Sequence, residues 1–85
     1  QKKVAFLAGV NLIGTDRIGI INDVTTIISN ELKVNMRSIS IDTDSGIFEG
    51  RIMLYVNDTI HLELLINKLR KVNGIVKVIR FDTKE

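Results

Sequence analysis

The chain has 85 residues, 45% apolar, 26% charged and 5% aromatic, with 12 basic against 10 acidic side chains and neither proline nor cysteine. That is room for one small core, and it excludes a disulfide framework, a thiolate metal site and a disordered, collagenous or mucin-like chain. No apolar run approaches the ~20 residues of a membrane span, the lack of cysteine fits a reducing cytoplasm, and the first residue is Gln rather than Met, so the expectation is a cytoplasmic domain, core about residues 4–82, cut from a larger protein.

Val4 to Ile13 reads as a strand rich in β-branched and aromatic residues, ended by Gly14. Thr15 and Asp16 are both suited to cap a helix, after which Ile20, Val24, Ile27, Ile28 and Leu32 recur three or four apart and predict an amphipathic helix to about Lys33. In Val34 to Thr43 the apolar pair Val34 and Met36 has the opposite parity to Ile39 and Ile41. A strict period of two cannot place all four on one face, which predicts a bulge near Ser38. Asp44-Ser45-Gly46 is a turn, followed by a strand over Ile47 to Val56 whose one face (Phe48, Ile52, Leu54, Val56) is apolar and whose other face is mixed. Gly50 falls on the apolar face, where it would let a helix approach closely. Asn57-Asp58-Thr59 opens a second helix with a stripe of Leu62, Leu65, Ile66, Leu69 and Val72. Gly74 is suited to a left-handed stop, and Ile75 to Phe81 forms the last strand.

The order β-α-β-β-α-β with two amphipathic helices predicts an α+β, ferredoxin-like sandwich: a four-stranded antiparallel sheet of order 4-1-3-2 with both helices on one face. The opposite face carries Ile13, Met53 and Tyr55. An apolar patch of that kind predicts a homodimer, or packing against another domain, through the open sheet face.

Catalytic chemistry has little to stand on. His61 is the only histidine, the serines have no evident base, and Asp42 and Asp44 read as solvated turn acids, so no catalytic, metal or cofactor site is expected. The segment Gly14 to Ile20 joins a strand end to a helix start, a place able to take a small anion or zwitterion, although it lacks the glycine spacing and Lys-Ser or Lys-Thr pair of a phosphate loop. Base is concentrated near the end of the chain, at Lys68, Arg70, Lys71, Lys77, Arg80 and Lys84, which permits RNA contact without requiring it.

The run Leu12-Ile13-Gly14-Thr15-Asp16-Arg17-Ile18-Gly19-Ile20-Ile21 resembles the signature turn of the ACT domain family, in which aspartate, arginine, proline and glycine precede two aliphatics; here Ile18 stands where proline is common. Val34-Asn35-Met36, Gly46, Gly50 and the stretch Leu69 to Val78 extend the resemblance over roughly residues 8–82. Within that family the chain is most similar to the C-terminal regulatory domain of the long stringent-response enzymes that synthesise and hydrolyse guanosine tetra- and pentaphosphate, the GTP pyrophosphokinases. The resemblance implies a non-catalytic module that regulates catalytic domains lying N-terminal to it, through a ligand, interdomain contacts, a second copy, or the ribosome and tRNA. It also implies an amino-acid ligand at the first turn, which points to Asn11, Asp16, Arg17, Ile18, Gly19 and Ile20. Without proline the turn lacks a fixed φ. Two other readings stand beside it: an amino-acid sensor of a metabolic enzyme, and an RNA-contacting module using Lys68, Arg70, Lys71 and Lys77. Substituting Gly19 by valine is expected to damage the turn, and Arg17 by alanine to affect binding more than folding.

Overall fold

Alternation sets the sheet. Along β1 (Phe6–Thr15) the side chains of Ala8, Val10 and Leu12 are buried, while Leu7, Asn11 and Ile13 point to the other face and keep partial exposure. The structure is a computed structural model and describes residues 5–81; Val4, Asp82 and Lys84 lie outside the described residues. β3 (Ile47–Val56) begins and ends where the apolar parity places it, with Phe48, Ile52, Leu54 and Val56 wholly buried. Together with β2 (Asn35–Asp44) and β4 (Ile75–Phe81) these strands form one antiparallel sheet of order β2-β3-β1-β4, the expected order read from its other edge. The register of β2 against β3 shifts between Met36 and Ser38. That bulge brings Ile39 and Ile41 onto the face of Ile52 and Gly50, as their parity required. In the β2–β3 hairpin Ser45 and Gly46 both have positive φ (53° and 80°), the pattern of a type I′ turn.

Both helices cover the face of Val10, Leu12, Ile52 and Leu54. α1 (Ile20–Thr26) continues as a π-helical turn over Ile27–Glu31 and contributes Ile20, Val24 and Ile28 to the core. α2 (Thr59–Arg70) contributes Leu62, Leu65 and Leu69; the Asp58 carboxylate caps it by accepting from the His61 N–H at 2.8 Å. Lys68 and Arg70 lie in its last turn, favourably placed against the helix dipole. Gly74 takes the left-handed φ (100°) read from sequence, but three residues past the C-cap Lys71 and directly before β4, so it turns the chain into the strand and does not stop the helix. Among the described residues no polar or charged side chain is buried in this core.

Three local readings are corrected. Gly14 does not end β1, which runs on to Thr15 through a register shift between Ile13 and Gly14. A Cβ on Gly14 would lie 2.4 Å from the Gly74 carbonyl oxygen, so its bare backbone is what lets the α2–β4 turn close against the strand. Neither Thr15 nor Asp16 caps α1. Thr15 is still strand, and the N-cap is Gly19 in the left-handed region (φ 88°) with no side-chain cap. Gly50 makes room for the Ile41 side chain and the Phe48 ring, each 3.2 Å from where its Cβ would be, rather than for a helix.

Candidate functional site

The sheet carries the end of β1 to a corner where three connections meet. The Thr15 N–H donates to Gly74 O (2.8 Å) and the Asp16 N–H to Gly46 O (2.9 Å), fastening the β1–α1 turn to the α2–β4 turn on one side and to the β2–β3 hairpin on the other. The turn closes by Ile20 N–H to Arg17 O (3.3 Å) and Asp23 N–H to Gly19 O (2.9 Å). Arg17 lies half-buried within it. Its Nε donates to Asn73 O (2.7 Å), one terminal nitrogen to Ile18 O (3.1 Å) and the other to Asp23 Oδ2 (2.7 Å). The guanidinium therefore spans the turn, the start of α1 and the α2–β4 turn, using its fork of donors in three directions.

The six residues singled out from the sequence divide into three groups. Asp16, Arg17, Ile18 and Gly19 form the turn. The Asp16 carboxylate is exposed and makes no ion pair or hydrogen bond among the described residues. Ile18 is fully exposed, a large apolar side chain standing in solvent. Ile20 turns into the core, where its Cδ1 lies 3.4 Å from the place a Gly74 Cβ would occupy. Asn11 does not join the turn. It lies five residues back along β1, ~16 Å away at 3.3 Å per residue, on the sheet face opposite the helices.

Beside the turn a groove of about 360 Å³ opens between α1, with its π-helical continuation, and the α2–β4 turn, lined by Asn22, Asp23, Thr26, Ile27, Glu31, Val72 and Asn73. Sequence reading missed Asp23, Gly46, Asn73 and Gly74 as partners of the turn. Gly46 and Gly74 were legible as turn glycines, but nothing local says that chain positions 56 residues apart share a hydrogen bond.

The basic residues do not form one patch. Lys68 reaches Glu31 (3.3 Å), Arg70 donates to Asn67 Oδ1 (3.4 Å), and Lys71 is exposed nearby at the end of α2. Lys77, paired in register with Ile13, lies on the open face of the sheet, on the far side of the molecule from α2. His61 sits at the base of α2 with a structural environment: the Asn57 N–H donates to its Nδ1 (3.4 Å) and its Nε2 is 3.3 Å from Leu32 O. Among the described residues no group of three or more His, Cys, Asp or Glu side chains is placed to hold a metal ion, and no helix is long and apolar enough to cross a membrane.

Comparison with known proteins agrees with this architecture. A family model described as ACT domain matches residues 2–80. The crystal structure of the ACT domain from the GTP pyrophosphokinase of Chlorobium tepidum is 38% identical, with a TM-score of 0.83 over 92% of this chain and 100% of that one. Its solution structure, at 38% identity and a TM-score of 0.82, covers 95% of this chain and 91% of that one. A homoserine dehydrogenase from Thiobacillus denitrificans shares the fold at 15% identity and a TM-score of 0.73, over 92% of this chain and 17% of that one. No curated protein sequence matches the chain.

Proposed function

The chain belongs to the ACT domain family, a family of regulatory, non-catalytic domains, and from that premise we propose that it regulates a cytoplasmic stringent-response GTP pyrophosphokinase and guanosine tetra- and pentaphosphate hydrolase. The observation that carries the reading is the 38% identity to a GTP pyrophosphokinase ACT domain over 92% of the chain. The physical basis of regulation is the corner at Arg17. A contact that moves the β1–α1 turn also moves the α2–β4 turn and the β2–β3 hairpin, because backbone bonds and one guanidinium join all three. Such a contact changes catalysis only if it has different affinities for the active and inactive arrangements of the parent.

The test is to measure guanosine tetraphosphate synthesis and hydrolysis by the full-length parent with and without this domain. A change of several-fold in the ratio of the two activities is expected. An unchanged ratio, with and without ribosomes and uncharged tRNA, removes the proposal.

An amino-acid ligand at the turn is the second reading, favoured by the uncommitted Asp16 carboxylate, which is suited to an ammonium group, next to the exposed Ile18. Calorimetry against the twenty amino acids at millimolar concentration decides it: heat from one of them, lost in Asp16→Asn, supports a sensor, and none counts against it.

A further inference from the structure

Of the chain's asparagines only Asn73 is followed by glycine, and the pair forms the middle of the α2–β4 turn. The Ile75 N–H donates to Val72 O (3.0 Å), and φ is positive at Gly74 (100°) but not at Asn73. That is the pattern of a type II turn, whose central peptide here joins Asn73 to Gly74. The carbonyl oxygen of that peptide, Asn73 O, accepts from Arg17 Nε (2.7 Å), and Gly74 O, one peptide on, accepts from the Thr15 N–H (2.8 Å). The Asn73 side chain is exposed, and neither its carboxamide nor the Gly74 N–H has a hydrogen-bond partner among the described residues. A free main-chain nitrogen with no Cβ beside it therefore follows a free carboxamide, the two groups that close a succinimide ring.

We propose that Asn73 is a site of spontaneous conversion to isoaspartate, gated by Arg17, and that the conversion opens the corner irreversibly. The Gly74 nitrogen gives up its proton and bonds to Asn73 Cγ, and the side-chain nitrogen leaves with that proton as ammonia. A water then opens one of the two ring carbonyls. Opening at Cγ leaves an ordinary aspartate; opening at the main-chain carbonyl reroutes the backbone through Cβ and Cγ as isoaspartate. Attack requires the central peptide to turn. In a type II turn ψ of Asn73 is positive and holds the Gly74 nitrogen away from Cβ, whereas the ring of an L residue closes only with ψ negative. That rotation swings Asn73 O off Arg17 Nε, so the hydrogen bond that closes the turn is also the restraint on the reaction, which proceeds from the minor open population. Isoaspartate then adds a methylene to the main chain and converts the carbonyl that Arg17 held into a free carboxylate. The spacing that lets Val72 O meet the Ile75 N–H and Gly74 O meet the Thr15 N–H is lost. The result is a one-way switch, slow while the corner is closed and permanent once made, and it does not depend on which parent the domain regulates.

Peptide mapping of the 85-residue chain held for weeks in warm neutral buffer tests it, with a synthetic peptide of residues 68–79 as the unrestrained reference. The mass increment of amide-to-acid conversion, with isoaspartate, is expected at Asn73 ahead of every other asparagine, more slowly than in the peptide, and is expected to vanish in Asn73→Gln. Arg17→Ala should speed it roughly fivefold, the fold-change for about 1 kcal/mol of restraint removed. Asp58→Ala, which loses a similar stability at the far end of α2, should leave the rate as it is in the unsubstituted chain. Chain carrying isoaspartate, separated by its added charge, should exchange the Thr15 amide faster, whereas Asn73→Asp, with the charge but no extra methylene, should not. Thermal unfolding confirms that each variant is folded; the comparison of chain with peptide and the Thr15 amide decide the matter if Arg17→Ala is not. An unmodified Asn73, equal rates in chain and peptide, a folded Arg17→Ala no faster than the unsubstituted chain, equal acceleration by Asp58→Ala, or a Thr15 amide indifferent to isoaspartate overturns the proposal.

Discussion

Arg17 donates to a carbonyl 56 residues away in the chain and to the Asp23 carboxylate one turn into α1, so its removal is felt by the fold as well as by any ligand. The sequence reading gave it mainly a binding role. Arg17→Ala is expected to lower stability by about 1–2 kcal/mol, the screened ion pair contributing less than the hydrogen bond to Asn73. The same variant should speed amide exchange at Thr15, whose N–H donates into the same α2–β4 turn. Exchange at Thr15 unchanged from the parent chain would show that the turn holds without the guanidinium. Gly14 is less forgiving. Its Cβ would meet backbone, not a movable side chain, so Gly14→Ala should cost about 1–3 kcal/mol by chemical denaturation. Gly19→Val acts differently, forcing a β-branched residue to φ 88° with space around it, a strain of about 1–2 kcal/mol. Asp16, Arg17 and Gly19 were legible as a turn motif. The role of Arg17 as a clamp was not, because its partners are distant in the chain.

At the scale of elements, parity and spacing read most of the structure. β3 and β4 begin and end at the residues their alternation marks, and the opposed parity of Met36 and Ile39 located the bulge. α2 was legible for the same reason: a capping aspartate and a stripe three and four apart agree, although the helix stops at Arg70, short of the glycine read as its stop. Replacing Asp58 by alanine should therefore cost about 1 kcal/mol, measured as a shift in the unfolding midpoint. Ile52 lies wholly inside the core under both helices, and Ile52→Ala should cost about 2–5 kcal/mol. If the loss were under 1 kcal/mol, the face of β3 turned to the helices would not be the core. The start of α1 was misread because Thr15 and Asp16 have good capping side chains. The chain instead needs Thr15 in the sheet, where its N–H reaches Gly74 O, and that postpones the helix to Gly19. The π-helical turn at Ile27–Glu31 had no signal in a pattern of apolar spacing that an α-helix satisfies equally well.

At the scale of the molecule, two helices cover one face of a four-stranded sheet and leave the other, with Met53, Tyr55 and Ile79, partly exposed. Amides of the central strands β1 and β3 should exchange most slowly, and those of the edge strand β2, whose side chains are largely exposed, earliest; equal protection across the four strands would contradict this layering. The sequence by itself determined the element order, the one-sided covering of the sheet and the residues that fill the core, because periodicities of two and 3.6 are local and each apolar stripe has to be buried somewhere. Only the tertiary structure decided which residues meet across the chain. Arg17 joins Asn73, Gly46 and Gly74 converge on the first turn, and Lys77 parts company with the basic end of α2. Those juxtapositions depend on strand register and crossover geometry, which are set by the packing of the whole and leave no mark in any short stretch of sequence.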